Sequence, residues 1–142
     1  YAHTPDAIDV ALKSLRPHIL GKLIVIIGAG GERDQGKRPL MGAAAEKNSD
    51  FVIITDDNPR TEDPSVIHQM IKNGIQNDNK VKVITDRAEA ILNAVNLLEE
   101  GDGLLITGKG HETEQVIGEN NFPFDDFEQA SLSVASLDGL EK

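Results

Sequence analysis

Leu23-Ile24-Val25-Ile26-Ile27, followed at once by Gly28-Ala29-Gly30-Gly31, is the stretch that decides the fold. Five apolar residues without alternation predict a strand buried on both faces, the habit of parallel sheets packed between helices. The glycines behind it predict a loop at the strand's carboxyl end, where open α/β sheets take their ligands. Working outward, apolar runs of strand length recur at Phe51–Ile54, Val81–Ile84 and Leu104–Ile106. Helical spacing fills the gaps: Ile8–Leu15, Pro39–Asn48, a helix from Pro64 with Val66, Ile67, Met70, Ile71 and Ile75 on one face, and Arg87–Glu100. Thr4 as N-cap, Pro5 at the first helical position and Asp6 in the first turn open the first helix. Gln115–Gly118 and Asn121–Phe124 predict a short closing hairpin, and Asp125 caps an expected last helix over Phe127–Leu137.

Strands and helices that alternate with short connections give the fold class. It is α/β: a Rossmann-like three-layer domain with a mostly parallel sheet flanked by helices and a short C-terminal hairpin. The 142 residues fit one domain with a real core, and only 4% aromatics place that core on Ile, Val, Leu and Ala. A net charge of -10 argues against a general nucleic-acid or anionic-membrane surface. The lack of cysteine excludes disulfides, thiolate zinc sites and cysteine catalysis. No stretch is long and apolar enough to span a membrane and none resembles a signal peptide, so a cytoplasmic monomer is expected. Tyr1 precedes a helix signal with no initiator Met, which reads as a cut at a domain boundary of a longer protein. Asp138–Lys142 reads as a frayed tail.

Three strand ends carry the chemistry. Thr55-Asp56-Asp57-Asn58-Pro59-Arg60 sets two carboxylates, an amide and a guanidinium directly behind a buried strand. Arg60 brings a planar fork for a carboxylate or phosphate, and Asn58 both donates and accepts. Gly28–Arg33 nearly matches a dinucleotide fingerprint, but Arg33 stands where the third glycine is needed for helix–strand packing. Gly31–Arg38 has the glycine and lysine spacing of a phosphate loop, but Arg38 replaces the magnesium-binding hydroxyl. What remains is a glycine loop presenting Arg33, Lys37 and Arg38 to anions. In Gly108-Lys109-Gly110-His111-Glu112, Glu112 suits an ammonium and Lys109 an anion, while His111 suits a structural hydrogen bond equally well. His3, His18 and His68 lack metal-site spacing, and His68 reads as a surface residue in mid-helix. Arg33, Asn58, Arg60 and Glu112 around one pocket would complement an amino acid.

Four segments in order resemble the C-terminal domain of the Mur ligases: Tyr1-Ala2-His3-Thr4-Pro5-Asp6, Gly30–Asp34 with Gly36–Pro39, Asp57-Asn58-Pro59-Arg60, and Gly108–Glu112. The resemblance covers essentially the whole chain. The resemblance implies an ATP-dependent acid–amino-acid ligase of peptidoglycan synthesis and, from Arg60, the members that add meso-diaminopimelate. It implies that Arg33, Asn58, Arg60, Gly108 and Glu112 bind the amino acid, with Asp57 and Pro59 in the motif. It implies nucleotide-side roles for His3, Thr4, Asp34 and Lys37. In such enzymes a D-glutamate carboxylate is phosphorylated and the amine then displaces phosphate. ATP and Mg2+ are held mainly by a central domain, so no catalytic residue or metal ligand is expected here and the fragment alone is expected to be inactive. Two rivals are a freestanding anion- or nucleotide-binding module and a sibling ligase adding L-lysine.

Overall fold

The computed structural model describes residues 4–31 and 34–108, and the backbone of 114–117 and 120–123. The Thr4 hydroxyl accepts the Ala7 N–H at 3.1 Å, and Pro5 fills a first-turn position whose N–H would lack a helical partner. Helix α1, Pro5–Leu15, follows and buries Ile8 and Leu12. Then come β1 (Leu23–Ile27), α2 (Lys37–Asn48), β2 (Phe51–Ile54), α3 (Pro64–Lys72), β3 (Val81–Val83), α4 (Arg87–Leu97) and β4 (Gly103–Ile106). A separate antiparallel hairpin joins β5 (Glu114–Ile117) to β6 (Asn120–Pro123), one residue earlier than the sequence predicts.

The four main strands pair in parallel in the order β3-β2-β1-β4. On β1, Ile24 sits in register with Phe51 on one side and Leu104 on the other. The unbroken apolar run of β1 is explained by two cores. Leu23, Val25 and Ile27 meet Ile8 and Leu12 of α1, Met41 and Ala45 of α2, and Ile67 and Ile71 of α3. Ile24 and Ile26 meet Ala90, Ile91 and Ala94 of α4. Each such side chain contributes about 1.5–3 kcal/mol by leaving water, so neither face of β1 tolerates a polar residue. The three-layer α/β class is borne out.

Element ends differ in small ways. Helix α2 starts at Lys37 rather than Pro39, because a proline in the first turn needs no N–H partner and the helix extends ahead of it. Helix α4 stops at Leu97, where Leu98 turns to an extended conformation. Strand β3 ends at Val83, and the expected helix over Phe127–Leu137 lies outside the described residues. The chain runs β1, β2, β3 in one direction and then crosses to the far side of β1 to lay down β4. The loops after β2, β1 and β4 therefore stand side by side.

At the amino ends of the central strands β1 and β2, Asp50 Oδ2 accepts the Leu23 N–H at 2.8 Å and Arg16 Nη1 at 2.7 Å. Partial burial pushes this carboxyl up, but the two donors outweigh it and hold its pKa below the ordinary 3.8. Asp9, Asp63 and Asp102 are also held low, chiefly by the Lys13 ammonium, the Ser65 hydroxyl and the Glu99 N–H. A carboxylate with a lower pKa in the folded state contributes stability that is complete above its unfolded value and lost as pH falls through the folded one. Urea midpoints should stay level from pH 7 to about 5 and drop below about pH 4. Asp50→Asn should lower the neutral-pH stability by about 0.5–1 kcal/mol, small because the site is half exposed, and flatten the acid limb. An acid limb as steep as the parent's would remove Asp50 from this account.

Candidate functional site

The loop after β2 is fixed before it reaches any ligand. Thr55 N–H bonds Ile27 O at 2.9 Å, continuing the sheet, and Thr55 Oγ1 bonds Thr85 O at 3.1 Å. Asp56 and Asp57 are buried. The loop then laces into the one after β1: Gly31 N–H donates to Asn58 O at 2.8 Å, and Arg60 Nη1 donates to Gly31 O at 3.1 Å and Asn58 O at 3.3 Å. A Cβ on Gly31 would lie 1.8 Å from Pro59 O, so only glycine allows this approach. The glycine-rich loop thus owes part of its composition to a neighbouring loop. Arg60 takes φ 54°, a left-handed conformation costly for a residue with a Cβ. Gly108, at φ +103°, rests behind Asp57, with a hypothetical Cβ 3.4 Å from the carboxylate carbon.

A cavity of about 440 Å³ opens between the first two loops. Asp57, Asn58 and Arg60 line it together with Thr4, Asp34, Lys37 and Arg38, with Met41 also in the wall. Asp34 Oδ1 accepts the Gly36 N–H at 3.0 Å, which turns the chain into α2. Seven of the residues singled out in the sequence thus share one cavity. Arg33, Glu112 and His3 lie outside the described residues, as do Lys109 and His111. Among the described residues no group of three or more potential metal ligands converges.

Two expectations are corrected. Arg38 does not wait for an anion: it is 1% exposed and grips Glu62 with Nη1 at 2.5 Å and Nη2 at 2.9 Å, while Nη2 also reaches Gly30 O at 3.2 Å. Being in the first turn of α2, its side chain turns inward between the two loops. His68 is not a surface residue. It is 4% exposed, with Nε2 2.7 Å from Asp56 Oδ1. The signal was present, since His68 stands three residues before Ile71 on the apolar stripe of α3. Arg87 was missed altogether. Buried at the start of α4, it donates to Asp56 O at 3.1 Å and Thr107 O at 2.8 Å, tying the ends of β2 and β4. An arginine after an Asp N-cap carries no mark in sequence of such a role.

The family model described as "Mur ligase, glutamate ligase domain" matches residues 1–110. The chain belongs to the Mur ligase family. A ligase of Coxiella burnetii, UDP-N-acetylmuramoyl-L-alanyl-D-glutamate--2,6-diaminopimelate ligase, is 54% identical over 94% of the chain. The ligase of the same name from Bradyrhizobium diazoefficiens is 51% identical over 96% of it. A solved structure of a ligase of that name superposes with a TM-score of 0.93 at 43% identity, covering 96% of this chain and 28% of the other. A Thermotoga maritima folylpolyglutamate synthase, at TM-score 0.51 and 23% identity over 73% of the chain, shares the fold. This Mur ligase chain spans 27% of the length of either curated relative.

Proposed function

We propose that this chain is the amino-acid-binding domain of a three-domain, ATP-dependent ligase. That ligase joins meso-2,6-diaminopimelate to UDP-N-acetylmuramoyl-L-alanyl-D-glutamate in the cytoplasm, for peptidoglycan synthesis. One observation carries the reading: Asn58 and Arg60 line the same cavity as Thr4, Asp34 and Lys37. The similarity to ligases named for diaminopimelate supports it.

In this reading Arg60 and Asn58 hold the distal carboxylate of diaminopimelate, and Glu112 holds the distal ammonium. Both loop hydrogen bonds of Arg60 come from Nη1, so the Nε–Nη2 edge is assigned to the carboxylate. Arg33 is assigned to the amino acid as well, and Gly108 backs the Asp57 side chain beside the pocket. His3, Thr4, Asp34 and Lys37 form the nucleotide side. Lys37 suits a phosphate, but Arg38 faces inward and Pro39 in the first turn lacks an N–H, so α2 offers no full phosphate cradle. ATP and Mg2+ are therefore assigned mainly to the central domain. When bound, ATP supplies the phosphoryl group that activates the acceptor carboxylate. The residues of this chain orient the attacking amine and exclude side chains that lack a distal carboxylate.

The full-length protein carrying this chain should use meso-diaminopimelate at least about 100-fold more efficiently than L-lysine, which leaves Arg60 unpaired. The chain alone should form no product. A preference for lysine would overturn the substrate assignment. Product from the chain alone would overturn the division of labour between domains.

A further inference from the structure

The residues from Asp56 to Asp63 form a closed loop. Asp56 leaves β2, and Asp63 caps α3 by accepting the Ser65 N–H at 2.9 Å. His68, one turn further along α3, reaches back so that Nε2 stands 2.7 Å from Asp56 Oδ1. The two atoms are in ion-pair range without the alignment of a straight hydrogen bond. Both residues are more than nine-tenths buried. The backbone of Asp56 is held separately: its N–H meets Thr85 O at 3.3 Å and its carbonyl accepts Arg87 Nη1 at 3.1 Å. The His68 contact thus joins the first residue of the loop to the helix that ends it. Asn58 and Arg60 stand at the tip of the closed loop and line the cavity.

We propose that His68 is a positioning residue for the amino-acid-binding loop, holding the Asp56 side chain so that Asn58 and Arg60 meet the distal carboxylate of the substrate. This rests on the reading of the cavity as the diaminopimelate site. A polar ring on the buried stripe of a helix costs desolvation, and the contact with Asp56 offsets it. Its function is geometric. A carboxylate tethered at the loop's base fixes the direction in which the next residues leave the strand, so its release loosens the grip on the distal carboxylate and reads as a raised KM.

Steady-state kinetics of the full-length protein test this. His68→Leu should raise KM for meso-diaminopimelate about tenfold while kcat and KM for ATP stay within about twofold, the pattern of lost substrate binding. His68→Gln keeps an N–H donor and should recover most of the loss. Asp56→Ala, which removes the acceptor oxygen, should show the same selective rise in KM as His68→Leu. A lower thermal midpoint with KM for diaminopimelate unchanged, or both KM values rising together, would overturn the proposal. So would failure of Asp56→Ala to show the rise. Arg60→Ala measured alongside separates the two levels: if it too leaves diaminopimelate use unchanged, the reading of the cavity has failed as well as the role of His68.

Discussion

Arg60→Ala in the full-length protein is expected to lower kcat/KM for meso-diaminopimelate about 1,000-fold, or about 4 kcal/mol. A guanidinium that grips a desolvated carboxylate with two bonds is worth more than its Coulomb energy in water, because its removal leaves the ligand charge buried and unpaired. Use of L-lysine should change far less, so the preference between the two substrates should shrink toward unity. The backbone supplies a control. At φ 54° alanine bears about 1 kcal/mol of strain that glycine does not. Arg60→Gly should therefore match Arg60→Ala in kinetics and exceed it in thermal stability. Diaminopimelate kinetics equal to those of the parent would reject the role assigned to Arg60.

Arg38→Met is expected to destabilise the fold by about 3–5 kcal/mol in urea unfolding, because it removes both charge-assisted bonds that Arg38 gives the largely buried Glu62 carboxylate. The Glu62 side chain is only 17% exposed, and Arg38 supplies it with two bonds from one fork. Gly30 O loses a donor in the same change. The double variant Arg38→Met/Glu62→Leu removes both charges. It should be more stable than Arg38→Met alone by about 1–2 kcal/mol. Losses that simply add would show that the pair is not coupled. Because Arg38 ties the first loop to the second, the single variant should also weaken binding of diaminopimelate at temperatures where it remains folded.

The sequence by itself determined the architecture and the motif-bearing loops. Leu23–Ile27 announced a doubly buried strand because a strand with a core on each face cannot alternate with polar residues. Thr4-Pro5 fixed the start of α1 through local hydrogen bonding alone, which needs no distant partner. Asn58 and Arg60 were legible because charged and amide groups crowded behind an apolar strand exceed what a turn requires.

Only the tertiary structure decided which polar groups face the cavity and which hold the loops. Lys37 and Arg38 are neighbours of like charge, yet Lys37 is exposed and Arg38 is buried against Glu62. Arg87 and His68 sit on helices as ordinary polar residues, and their partners Thr107 and Asp56 lie 20 and 12 residues away in the chain. Local propensity depends on near neighbours along the chain. The choice between solvent and a buried partner depends on which strand ends the crossover from β3 to β4 brings together.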